Sequence, residues 1–257
     1  MYTFVGDVSG FKNIIQNLTL TDQSNRVHQW IDLIKELIRI HDIRFFRLIS
    51  DSIVVVVDEK PMELIKLCRF SKALLEQGIE KSFPIRGAIT KGDVDFSNDE
   101  NIVFGKAIVD GFILADNQKW FGIVIDTSIR DELRTLWNID KVICYSPPLK
   151  VGDVRLYPVI SWEVPSTSQL IRYTTSEGLM RPESIVNWEY YVMIQNTQIF
   201  SLYRSTLKQV QINSRNDVDW SKFYGLTPIE IIENAIRKSS LDVIQVDNGN
   251  PYAVYRV

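Results

Sequence analysis

Apolar and polar positions along the chain repeat with two different periods. Tyr2–Val8 is dense in aromatic and β-branched residues and alternates loosely, which predicts a strand that stops at Ser9-Gly10. Over residues 21–41 the period lengthens. Val27, Trp30, Ile31, Ile34, Leu37, Ile38 and His41 recur at three- and four-residue steps, the stripe of a helix with Thr21 or Asp22 as N-cap. Residues 44–49 and Ser52–Val57 are apolar runs on either side of Ser50-Asp51, a hairpin. The β-branched run from Val54 to Val57 suits a strand buried on both faces. A second helix starts at Pro61, turns Leu64, Leu67, Cys68, Ser71, Leu74 and Leu75 inward, and ends with Gly78 as its C′ residue.

The pattern continues with a strand over 83–90, a polar turn over 92–101 and a short strand Ile102–Phe104. A helix over 106–117 and strands over 121–125 and 156–162 follow. Strands interleaved with two main helices predict an α+β fold with a ferredoxin-like sheet, helices covering one face. A Ser/Thr-rich linker at 165–168 divides residues 1–165 from a mostly helical extension, 166–257. That extension holds an amphipathic helix over 182–212, a second over 227–239 and a strand-like 251–257. The aromatic run Trp188, Tyr190 and Tyr191 reads as packing between extension and core.

Composition narrows the function classes. Apolar residues make up 45% and charged residues 24%, which excludes a disordered scaffold. The net charge of -3 and a pI near 5.5 give no basic stripe for nucleic acid. No apolar run spans a membrane, and the start has neither the charged nor the apolar segment of a signal peptide. Two cysteines, Cys68 and Cys144, and two histidines, His28 and His41, exclude a disulfide framework and a Cys/His zinc cage. The expectation is a cytoplasmic, reduced protein whose chemistry rests on carboxylates, basic side chains and backbone.

Two carboxylates stand out by position. Asp7 ends the first strand, and Asp51 sits on the next hairpin, 44 residues on. In a ferredoxin-like sheet the first strand lies beside that hairpin, so both side chains converge on one edge. Two carboxylates there repel unless a hard cation such as Mg²⁺ or Mn²⁺ lies between them. The turn Val8-Ser9-Gly10-Phe11 leads into a short helix at Lys12, so its amides form an anion nest that Gly10 opens to a phosphate. Cations beside a phosphate nest point to two-metal phosphoryl or nucleotidyl transfer.

With these residues the chain resembles the class III nucleotidyl cyclases. Asp7-Val8-Ser9-Gly10-Phe11 is similar to that family's first metal motif, and Asp51 to its second aspartate, here after Ser50 where the family usually has Gly. The strand Arg86-Gly87-Ala88-Ile89-Thr90-Lys91-Gly92 and the helix-opening Gly105 resemble two further blocks. The resemblance implies two Mn²⁺ or Mg²⁺ ions held by Asp7, Asp51 and the Val8 carbonyl. It also implies a triphosphate on the amides of Ser9, Gly10 and Phe11, with Arg86 facing the β- and γ-phosphates. The nucleotide's own 3′-hydroxyl attacks, so no protein nucleophile is required. A homodimer with sites at its interface is implied as well.

Departures from the family pattern bear on the base. Arg47 stands where purine enzymes carry Lys or Glu, and Ile102 replaces the companion acid. Val109 and Ile113 occupy the places of the transition-state Asn and Arg. The missing cation falls to Lys91 or Lys106, although both also read as exposed lysines. Asp93 and Asp95 read as a solvated turn. The whole looks like the pyrimidine cyclases of bacterial Pycsar anti-phage systems, which implies conversion of UTP or CTP to a cyclic monophosphate sensed by a separate effector. Arg47, which has donors only, suits O2 or O4 of uracil, or O2 and N3 of cytosine. Two other readings stay open: a purine cyclase or polymerase palm, and a cyclase-like module that binds without turnover.

Overall fold

A computed structural model describes residues 1–213, except 13–15, 17, 98–101, 134–135, 137–139, 152–155 and 176–187. Strand β1 (Tyr2–Val8) lies in the middle of a seven-stranded sheet and sets the register on both sides. Next in sequence are helix α1 (Leu20–Ile40), the hairpin strands β2 (Phe45–Ile49) and β3 (Ser52–Val57), helix α2 (Pro61–Glu80) and β4 (Ile85–Lys91). A two-stranded ribbon, β5 (Asp95–Ser97) and β6 (Ile102–Phe104), precedes helix α3 (Lys106–Asp116) and β7 (Gly122–Ile125). A 3-10 turn (Thr127–Leu133), β8 (Val142–Tyr145), β9 (Tyr157–Ile160) and helices α4 (Thr167–Thr175) and α5 (Trp188–Asn213) complete the described chain. The sheet order is β2-β3-β1-β4-β7-β9-β8, antiparallel except for the β4–β7 pair. This is the expected α+β architecture.

Alternation along β1 builds both layers, because successive side chains leave a strand on opposite faces. Phe4 meets Phe70 of α2 edge-on at 5.8 Å, so the two long helices cover that face. Val5 belongs to a second buried cluster with Phe45, Val54, Val56 and Ile108 of α3. Val54 to Val57 are all buried, as a strand packed on both faces requires.

Several local expectations need correction. The α1 N-cap is Thr19, whose hydroxyl accepts the Asp22 N–H, so neither Thr21 nor Asp22 caps the helix. Gly78 does not end α2. The helix runs on to Glu80, and Gly78 is retained for close approach, since a Cβ there would lie 2.8 Å from the Phe83 carbonyl. The polar turn at 92–101 holds β5, and β8 and the 3-10 turn were not expected at all. Residues 182–187, 227–239 and 251–257, to which elements were assigned, lie outside the described residues.

The chain forms two compact units, Met1–Ser201 and Leu202–Val257. The second is described only as the end of α5. The first extends well past residue 165, because α4 and the start of α5 belong to it. In the first unit the Tyr190 ring lies 5.3 Å from Phe121, and Phe200 packs on Trp120 at 4.9 Å. Among the described residues no helix is long and apolar enough to cross a membrane.

Gln118 locks the segment after α3 to the sheet. It is fully buried, donates to the Gly87 carbonyl at 2.7 Å and accepts from the Trp120 indole at 2.9 Å. Gln118→Leu leaves both partners buried and unpaired, so stability should fall by about 2–4 kcal/mol. In urea titrations the midpoint should drop with little change in slope.

Candidate active site

The register of β1 places Asp7 between two strands, opposite Ser52 of β3 and opposite Arg86 of β4. Asp51 precedes Ser52 in the hairpin turn, near enough for its charge to act on Asp7. Ser50, at φ 59°, takes the left-handed conformation that turns the chain there. Residues far apart in sequence thus share one sheet edge, as the spacing leads one to expect.

Arg86 answers the buried charge of Asp7. Its Nε lies 3.2 Å from each carboxylate oxygen of Asp7. Its Nη2 lies 2.9 Å from Asp116 Oδ1, and its Nη1 donates to the Asp116 carbonyl at 3.2 Å. Lys150 reaches the same Asp116 oxygen at 2.9 Å. The row Asp7, Arg86, Asp116, Lys150 therefore alternates in sign across the site. Burial pushes the Asp7 carboxyl above the ordinary carboxylate value. Arg86 opposes that shift, and the charges of Asp51 and Asp116 add to it. Asp116 moves the other way, lowered chiefly by its hydrogen bond to Lys150.

The phosphate turn differs in detail from the expectation. Gly10 adopts φ 79° and Phe11 begins a helical turn, but the Ser9 N–H already donates to the Pro84 carbonyl at 2.8 Å. The Ser9 amide is therefore committed to the fold, which leaves the Gly10 and Phe11 amides for an outward nest. Arg47 lies on the outermost strand, its guanidinium over the Phe45 ring at 4.6 Å and donating to the Phe46 carbonyl at 3.0 Å.

Neither lysine suggested as the transition-state cation joins this edge. Lys91 closes the opposite end of β4, held by Glu59 and Glu132 at 2.7 Å each. Lys106 is exposed and paired with Asp110 one turn along α3. The cations beside Arg86 are Lys119 and Lys150, which no motif in the sequence flags. A clamp between distant segments positions them. The Lys119 N–H donates to the Pro148 carbonyl at 2.8 Å, and the Lys150 N–H to the Asn117 carbonyl at 2.7 Å. Helix α5 ties in here too: Asn196 donates to the Lys119 carbonyl at 2.7 Å, and Thr197 Oγ1 accepts the Phe121 N–H at 2.9 Å.

A hard divalent cation suits this donor set in kind. No described residue hydrogen-bonds or ion-pairs with the Asp51 carboxylate. Asp7 is driven toward its protonated form by burial, a tendency a cation would reverse. Arg86 is its competitor for Asp7. Among the described residues no cluster of three or more Asp, Glu, His or Cys forms, so any further ligands are carbonyls, water or phosphate.

The raised Asp7 value sets a pH dependence. The folded chain holds that proton to higher pH than the unfolded chain does, so the contribution is fully present below the ordinary carboxylate value. It is lost as pH rises through the folded value. Denaturant melts in chelator from about pH 4 to about pH 7 should show wild type losing stability relative to Asp7→Asn. A difference independent of pH would contradict the assignment.

No family model matches the chain, and neither does any curated protein. Solved structures do match in fold. The monomeric guanylyl cyclase domain of the RhoGC fusion protein from the aquatic fungus Blastocladiella emersonii aligns with a TM-score of 0.50 and 16% identity, covering 62% of this chain and 94% of that one. A double mutant of that domain gives 0.50 and 16% over 62% and 93%. The adenylyl cyclase CyaB from P. aeruginosa gives 0.45 and 14% over 64% and 93%. What the chain shares with the two RhoGC domains is the α+β fold of the class III nucleotidyl cyclases.

Proposed function

We propose that the chain is a nucleotidyl cyclase that converts UTP or CTP to the 3′,5′-cyclic monophosphate and pyrophosphate. One observation supports the reading: Asp7 at the end of β1 pairs with Arg86, feels the charge of Asp51 on the neighbouring hairpin, and precedes a glycine turn. Asp7, Asp51 and the Val8 carbonyl would hold Mn²⁺ or Mg²⁺, which would neutralise charge at the phosphates and lend acidity to the attacking 3′-hydroxyl. The Gly10 and Phe11 amides orient the triphosphate, and Arg86 takes up charge on the departing pyrophosphate. Arg47 reads the base through donors alone.

A second copy of the chain completes the site in this reading. The outer face of α3 and the neighbouring ribbon expose Phe104, Val109, Phe112 and Ile113, an apolar surface that favours a homodimer. The Asn and Arg positions of class III enzymes fall on that surface as Val109 and Ile113, so charge must come from elsewhere. The cyclic product then serves as a second messenger for a separate effector in anti-phage defence.

Incubation with each of the four NTPs and Mn²⁺, with products identified by mass, tests the reaction. Cyclic UMP or cyclic CMP is expected. Cyclic AMP or GMP would make it a purine cyclase, and linear oligonucleotides a polymerase. The absence of any product, with nucleotide still raising the melting temperature, would make the chain a binding module. Asp51→Ala should cost more than about a hundredfold in turnover, above the range for changes behind the ligands, with the melting temperature largely unchanged.

Arg47→Lys should shift the ratio of UTP to CTP turnover by about tenfold or more, because an ammonium cannot reproduce the planar donor fork. An unchanged ratio would place base reading elsewhere.

A further inference from the structure

Beside the carboxylate edge lies a cavity of about 220 Å³, bordered by the Ser9-Gly10 turn, Arg86, the Gln118-Lys119 segment and Lys150. The start of α5, through Glu189, Tyr190 and Met193, completes its lining. Its charged lining is three cations against one carboxylate, the exposed Glu189. A larger hollow, about 410 Å³, lies between α1 and the end of α2. There Arg26 already donates to the Ser82 carbonyl at 2.7 Å and to Gln29 at 2.9 Å.

Two hydroxyls in the smaller cavity are anomalous. Ser9 and Tyr190 are each only 4% exposed, and among the described residues neither Ser9 Oγ nor Tyr190 Oη has a hydrogen-bond partner. Leaving two buried hydroxyls unmatched is unfavourable, and a group that accepts from them would offset that cost. Both residues line the same cationic cavity. Burial holds the Tyr190 phenol well above its usual value, so it remains a donor. The ring is fixed against Phe121, and the Asn196 and Thr197 bonds anchor the same helix further along.

We propose that this cavity receives the terminal phosphates of the nucleotide, with Tyr190 Oη and Ser9 Oγ donating to phosphate oxygens and Arg86, Lys119 and Lys150 supplying charge. The inference deepens the cyclase reading and rests on it for the identity of the ligand. The cavity is smaller than sites that enclose drug-sized molecules, roughly 300–1,000 Å³, so it takes phosphates while ribose and base stay outside. Only a chain of sufficient length reaches from the Gly10 turn to Tyr190. Helix α5 thereby acts as a gauge of phosphate number, and Tyr190 is a specificity-determining residue outside the ferredoxin-like core. The cations also stand where pyrophosphate would depart, which supplies charge that Val109 and Ile113 cannot.

Calorimetric titration of the full chain with inorganic tripolyphosphate, in chelator to exclude metals, tests this directly. Wild type should bind it, more tightly than orthophosphate, and UTP should compete. Tyr190→Phe keeps the ring and deletes the donor. It should weaken binding by about tenfold, while the ligand-free melting temperature stays level or rises because an unmatched group is gone. Ser9→Ala should act in the same direction, and Lys119→Met should weaken binding as well. Asp51→Ala should bind tripolyphosphate like wild type although its turnover is lost, so failure of the metal chemistry and failure of the cavity are read separately. Wild-type affinity in both Tyr190→Phe and Ser9→Ala would overturn the proposal. So would no binding of tripolyphosphate, or orthophosphate binding as tightly with no competition from UTP.

Discussion

A carboxylate buried beside a guanidinium is the constraint on which this molecule's edge depends. Asp7 is carried into the sheet by the middle strand, where desolvation favours its neutral form. Among the described residues Arg86 on the adjacent strand is the one cation within 3.2 Å, and it divides itself between Asp7 and Asp116. Lys150 then balances Asp116. Each charge in the row is held by a neighbour on a different part of the chain. The site therefore exists only when β1, β4, the end of α3 and the loop before β9 are all in place. Net Coulomb energy in such a half-exposed row is modest, so its value to the protein lies in position more than in stability.

That dependence explains why fold and site are hard to separate here. Gln118 pins the segment carrying Lys119 to β4 through the Gly87 carbonyl, and Asn117 pairs the same segment with the stretch carrying Lys150. Asn196 and Thr197 fasten α5 to its far end. These are hydrogen bonds with backbone groups, indifferent to substrate, and those of Gln118 and Thr197 are buried and so costly to break.

Much of this was readable in the chain and some was not, for identifiable reasons. The strand–hairpin spacing that brings Asp7 to Asp51 was legible, because antiparallel pairing turns a sequence interval into a register. Lys106 read also as an exposed lysine, and it is exposed and paired with Asp110 four residues on. The pairing of Lys91 with Glu132 was not legible, because that partner comes from the 3-10 turn, which no periodicity revealed. Lys119, Lys150 and Tyr190 carry no motif at all. Their neighbourhood is made by one isolated bridge, Gln118 with Leu149, and by the docking of a helix read as an appendage. Thr19 and Gly78 were missed for local reasons: a cap two residues upstream of the expected one, and a glycine kept for packing rather than for turning.

In the proposed cyclase reaction, the distribution of charge around the site matters because the outward face of α3 is apolar at Val109 and Ile113, and apolar side chains stabilise no developing phosphate charge. In that reading the site would draw its cations from the sheet edge and the loops behind it. Arg86, Lys119 and Lys150 are there, behind the Gly10 turn rather than across from it. Positive charge on the phosphate side favours the leaving pyrophosphate, whereas charge on the α3 side would favour the attacked centre. The two placements act on different bonds of the same step. In the proposed reaction, a chain that keeps the first and lacks the second would depend all the more on the acidity of the attacking hydroxyl, and so on the carboxylate pair at the end of β1.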